Sequence, residues 1–109
     1  MPQAINLTGV SVSGTLVPVA SAQLHGSEAV RVYVKNTGAQ AITAGKIQQG
    51  PDLSMLADID TASLASIAAS AVASARILGP VSGLKVLLTC AAGTTVDVVV
   101  DDQIGSSVG

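Results

Sequence analysis

LKVLLTCAAGTTVDVVVD, residues 84–101, is the stretch on which the reading of this chain turns. Leu84, Val86, Leu88 and Cys90 alternate with Lys85, Leu87, Thr89 and Ala91. Beyond Ala92-Gly93-Thr94, Val96, Val98 and Val100 alternate with Asp97, Val99 and Asp101. Period-two alternation in β-branched residues, interrupted by a glycine-bearing turn, predicts two half-buried strands joined as a hairpin. Pairing about that turn would set Thr89 near Asp97 and Lys85 near Asp101, the second an opposite-charge cross-strand pair. One face, Leu84–Cys90 and Val96–Val100, is assigned to the core. The face carrying Lys85, Asp97 and Asp101 is assigned to solvent.

Working outward, 109 residues make one domain, 1–109, and a chain of this size can bury one core. With one Tyr and no Trp or Phe, that core must be aliphatic. Residues 29–36, AVRVYVKN, form the cleanest single strand. Val30, Val32 and Val34 face inward, while Arg31, Tyr33 and Lys35 form an outward amphipathic face and are candidate partner contacts, along with the loops around Gly38, Gly50 and Asp60 and the N-terminal arm. Residues 36–40 read as a turn cluster, and 41–48 as a returning strand in which Gly45 marks a bulge. Residues 15–19 are extended, with Pro18 on an edge or at a bulge. Residues 1–12 read as an N-terminal arm or edge strand, and 23–28 as a turn. A short strand is expected over 53–58. In 60–74, Asp60 or Thr61 is a candidate N-cap, and Leu64, Ile67, Ala68 and Ala71 fit a helical face. A short helix near 62–68, followed by a strand over 71–78, is expected; one helix of 15 residues is the alternative. The whole predicts an all-β fold, an antiparallel β-sandwich of the jelly-roll or immunoglobulin-like kind, with about seven or eight short strands.

Composition limits function. Charged residues make up 11% of the chain, against about 25% in a typical domain. A surface so poor in charge is weakly defended against association. Coverage by copies of itself, or by a larger assembly, accounts for it better than an isolated monomer does. Net charge is −2 and the basic residues are scattered, so nucleic acid is not an expected partner. No stretch approaches the ~20 apolar residues of a membrane span, and the N-terminus lacks a signal-peptide pattern. Neither a membrane partner nor a leader is expected. Cys90, the single cysteine, reads as a small buried hydrophobe.

Candidate chemistry is sparse. His25 is the one histidine and reads as an exposed loop residue, with no activating context. Asp58 and Asp60 form a D-x-D pair of the oxygen type a Ca²⁺ site uses, but without the spacing of an EF-hand loop. No phosphate loop, HExxH or GxSxG occurs. No catalytic residue, metal ligand or cofactor is assigned, and an enzyme is not expected. A sugar-binding module would have only Tyr33 on which to stack a glycan.

NTGAQAITAGKIQQGPD (36–52), LADIDTASLASIAAS (56–70) and LKVLLTCAAGTTVDVVVD (84–101) together resemble small β-sandwich proteins and domains of tailed-phage virions. The likeness is carried by Asn36-Thr37-Gly38, Asp60-Thr61, Leu64 to Ala69, and Ala92 to Val98, and spans about Val30 to Asp101. The chain departs from the pattern in lacking an aromatic in the middle strand. The resemblance implies a head decoration (cement) protein, non-enzymatic, acting as a homo-oligomer (dimer or trimer) on the capsid exterior. It implies the major capsid protein as partner and synthesis in the host cytoplasm. The alternative is a tail-associated or adhesin-like module that recognises a glycan or surface receptor.

Overall fold

The computed structural model describes residues 3–102; the side chains of residues 3, 4, 25–28, 79 and 102 lie outside that description. The expectation for His25 falls on one of those side chains. The fold is all-β and antiparallel, with strands β1 (Gln3–Asn36), β2 (Ala44–Asp52), β3 (Met55–Asp60) and β4 (Val72–Asp102) in the order β1-β4-β2-β3. β1 and β4 are continuous runs of 34 and 31 residues rather than separate short strands. Their pairing divides each into segments. Residues 3–12 pair with 94–101, 14–23 with 83–90, and 30–35 with 72–77, while 30–36 also pair with 96–102. Residues 83–89 pair in addition with β2, which pairs with β3. Two four-membered arrays result: 72–77, 30–36, 96–102, 3–12; and 14–23, 83–90, β2, β3. Because β1 and β4 run through both, the arrays are parts of one sheet curled upon itself.

The hairpin expected over 84–101 does not form. Residues 83–90 and 94–102 have different partners and belong to different arrays. Thr89 lies opposite Ala44, and Lys85 opposite Ser21 and Gln48. Asp97 is instead opposite Lys35, and Asp101 opposite Arg31. The turn signal is real but serves another purpose. From Val12↔Thr94 to Gly14↔Cys90 the ladder advances two residues on β1 and four on β4. The extra residues on β4 include Gly93 at φ 90°, a backbone conformation that favours glycine. The next step, to Val17↔Leu88, places the extra residue on β1 instead. Leu16 lies in that step at φ 48°, and its amide donates to the Thr89 hydroxyl (2.8 Å). Paired bulges of this kind bend both runs together. They carry the ladder from one array to the other around a single core.

The inward parity is as the alternation predicts. Val30, Val32, Val34, Val96, Val98 and Val100 from one array share one apolar cluster with Val19, Ile47, Leu84, Val86, Leu88 and Cys90 from the other. All of these are buried. Ile42, Leu64 and Ile67 close the cluster at one end. The molecule measures 41 × 29 × 20 Å. Its short dimension suits two sheet layers about 10 Å apart with their outward side chains. Gly45 is not a bulge: it pairs in regular register with Leu88. A Cβ there would collide with the Leu64 carbonyl and lie 2.9 Å from the Leu88 side chain. Glycine lets residues 61–69 cross directly over β2.

No helix forms among the described residues, and 61–71 is a chain of turns. The Asp60 carboxylate does bind like a cap. Oδ1 accepts from the amides of Ala62 (3.0 Å) and Ser63 (2.8 Å), and Oδ2 from the Ser63 hydroxyl (2.7 Å). The helix does not propagate because Ile67 is taken by a bridge to Ile42, with N–H···O bonds in both directions. A nucleus costs more than one turn returns, and tertiary contacts decide such a short segment.

Asn36, fully buried at the end of β1, ties this region together. Its Nδ2 donates to the carbonyls of Gln40 (2.7 Å) and Ile67 (3.1 Å). Its Oδ1 accepts from the hydroxyl of the buried Thr94 (2.8 Å) and the Gly38 amide (3.2 Å). Its backbone bonds to Ser70 and Ala71. Asn36→Ala is expected to lower stability by about 2–4 kcal/mol, since buried partners are left unsatisfied. Asn36→Asp, which turns a donor face into an acceptor facing two carbonyls, is expected to cost at least as much. Urea unfolding with an unchanged m-value measures both, and a loss under about 0.5 kcal/mol for Asn36→Ala would contradict the role.

Candidate interaction surface

Among the described residues, three regions present functional groups at the surface. The first is the outer face of the 72–77, 30–36, 96–102, 3–12 array. Arg31 is flanked in register by Arg76 and Asp101, Tyr33 by Ser74 and Val99, and Lys35 by Val72 and Asp97. The three residues singled out from sequence therefore share one face with two carboxylates. Arg31 and Tyr33 are partly exposed and Lys35 is exposed. Asp97 Oδ1 accepts from the Gly9 amide (2.9 Å), which fixes residues 3–12 against the final segment.

The second region includes the surroundings of Gly50 and Asp60, where partner contact is expected, but its apolar character is not evident from sequence. Leu7, Leu53, Met55, Ile59, Val72 and Leu78 are the exposed large apolar side chains among the described residues. Five of these six lie on the β2–β3 hairpin or on 72–78. β3 and 72–77 are the edges of their arrays, each with one paired side. A shallow groove of about 380 Å³ between Ile5, Leu7 and Pro18–Ser21 opens at the opposite pair of edges. A second, of about 360 Å³, is lined by Gln49, Ile59, Asp60, Arg76, Ile77 and Leu78. The inward face of 72–78 is the one with the smaller side chains, Ala73, Ala75 and Ile77, because the other carries Arg76 and Ser74 along with Val72 and Leu78.

The third is the acidic end of β3. Asp58 accepts from Gln48 Nε2 (2.9 Å) and forms an ion pair with Lys46 (3.2 Å). The Asp60 carboxylate is committed to its turn. The D-x-D pair is thus divided between separate structural partners. Among the described residues no three His, Cys, Asp or Glu side chains come together to hold a metal.

Among the described residues, three carboxyls sit below the ordinary range. Hydrogen bonds from the Ser54 side chain and amide lower Asp52. The Gln48 amide lowers Asp58, followed by Lys46. At Asp60 partial burial is the largest influence and pushes upward, but the bonds from Ser63 and Ala62 together outweigh it. Such groups bind fewer protons folded than unfolded. Their stabilisation is complete above the unfolded value near pH 4 and is lost as pH falls through the folded values. Urea midpoints are expected to fall between about pH 5 and pH 2.5. Asp60→Asn, which keeps an acceptor for the two amides, is expected to show a smaller fall than the parent chain.

No protein-family model matches the sequence, and no curated protein matches it. Solved structures do resemble the fold. PirA, known from a crystal structure, aligns with TM-score 0.53 and 12% identity, over 82% of this chain and 86% of that one. A chain of rhinovirus-B5, from a cryo-EM structure, aligns with TM-score 0.54 and 8% identity over 86% of this chain; the alignment spans 63% of the viral chain. At such identity the likeness concerns architecture alone. With the pairing order above, it places the chain among β-rich folds of the jelly-roll kind, in which two antiparallel arrays enclose one core.

Proposed function

We propose that this chain is a non-enzymatic structural protein of a virus particle, a decoration protein that coats the capsid exterior as a homo-oligomer. Its partners in this reading are the major capsid protein and further copies of itself. The observation that carries it is the set of exposed apolar side chains on β3 and 72–78, on a surface with few charges to keep neighbours away. Exposed apolar edges with free backbone groups are liabilities in an isolated monomer and assets in an assembly. The low charge content supports the same reading. So does the scaffold: a continuous hydrogen-bonded sheet holds its outward side chains in fixed rows, and many copies can share modest contacts. The likeness to phage virion β-sandwich domains in residues 30–101 adds the capsid surface as the setting. Its synthesis in the host cytoplasm follows from that setting.

The test is physical association. Particles purified by density gradient are expected to carry the protein in many copies, reachable by antibody from outside. Particles lacking it are expected to lose integrity at lower temperature or milder chelation than complete ones. A protein that remains entirely in the soluble fraction of the lysate, with particle stability unchanged by its loss, would overturn the proposal.

A further inference from the structure

The charge arrangement on the outer face of the first array has a self-complementary form. Arg31 and Lys35 occupy one column, with Arg76 beside them on 72–77. Asp101 and Asp97 occupy the next column, in the same rows as Arg31 and Lys35. Tyr33 and Val99 share the middle row. None of these four column charges forms an ion pair with another; the ion pair found among the described residues is Lys46–Asp58, on the other array.

We propose that this face is a dimer surface whose occupant is a second copy of the chain, related by a two-fold axis parallel to the strands and lying over the gap between the two columns. Such a rotation keeps each row and exchanges the columns. Arg31 then stands over Asp101 of the second copy, Lys35 over Asp97, and Tyr33 over Val99, and each contact recurs in reverse. An isologous interface requires this reciprocity. All four column charges meet opposite charge, and no like charges meet. Val72 and Leu78, 60% and 67% exposed, stand at the margin of the same face and lose exposure when it is covered.

Four strands at about 4.8 Å and seven residues at about 3.3 Å make a face roughly 19 by 23 Å. That is small against the ~800 Å² per partner of a standard interface, so the dimer is weak in free solution. Its charge pairs are screened, so it weakens further with salt. This inference rests on the homo-oligomer reading and names the face that performs it.

The test uses charge reversal in two separate proteins. In a dimer of Arg31→Glu, the carboxylate introduced at position 31 faces Asp101 twice. In a dimer of Asp101→Lys, the ammonium introduced at position 101 faces Arg31 twice. In the mixture both contacts are complementary. Sedimentation velocity is expected to show a concentration-dependent dimer for the parent chain, monomers for each variant alone, and a dimer again on mixing. Thermal melts of each variant confirm folding, and the neutral Arg31→Gln, which adds no like charge within the sheet, provides a weakened dimer if Arg31→Glu fails to fold. A monomeric parent chain across the concentration range, undiminished self-association of either variant, or no recovery on mixing would overturn the assignment. An oligomer insensitive to these changes removes this face while leaving oligomerisation intact. A charge-sensitive dimer that never accompanies particles keeps this face and removes the decoration role.

Discussion

The antiparallel ladder between β1 and β4 is the constraint from which the rest follows. It joins the first third of the chain to the last third along almost their whole lengths, and it belongs to both arrays at once. β2 and β3 extend one array, and residues 30–36 turn back to complete the other. A ladder of this length can enclose a core only by bending. The bends fall where sequence permits them, at Gly14 to Leu16 on β1 and across Gly93 on β4. Because the two runs bend together, the valines of 30–34 and 96–100 come to face Leu84, Val86 and Leu88 across the interior.

At the end closed by Ile42, Leu64 and Ile67, a buried polar network holds the converging segments together. Asn36 is buried where β1 ends, the last segment of β4 begins and residues 61–71 cross over. Its amide satisfies donors and acceptors from all three. A side chain with both donor and acceptor atoms suits this junction, and an apolar one would orphan the four groups it binds. The junction also fixes the exposed surface. By ending β1 at Asn36, it sets the row positions of Lys35, Tyr33 and Arg31 against Asp97, Val99 and Asp101.

Much of this is legible in the sequence, within a definite limit. Alternation assigns the inward side chains of 30–34, 84–90 and 96–100 correctly, since period two is a property of each strand alone. It cannot choose a strand's neighbour. A glycine between two alternating runs is compatible with a hairpin and with a corner between arrays, and here the corner prevails because β1 is available to pair with both runs. The capping residues at Asp60 are legible as local chemistry, and the bonds they offer are made. Whether a helix follows depends on Ile42, which claims Ile67 from a distant part of the chain. The outward face of Arg31, Tyr33 and Lys35 is legible because those residues lie within one strand. Its acidic complement is not, because Asp97 and Asp101 reach it only through the crossing. The apolar edges at Met55, Ile59, Val72 and Leu78 are hidden for a different reason: large apolar side chains read as core until their strand is known to be an edge.

The charged surface depends on this crossing, and one residue distinguishes it from a hairpin. Asp97 pairs with Lys35 in this fold and would lie near Thr89 in a hairpin. In a background with Cys90 replaced by alanine, two double-cysteine proteins place the question directly: one with cysteines at 35 and 97, the other at 89 and 97. Mild oxidation is expected to close an intrachain disulfide rapidly in the first and not in the second, as judged by gel mobility and mass under dilute conditions. Closure of 89 to 97 with 35 and 97 left reduced would contradict the two-array fold and the charged face built on it.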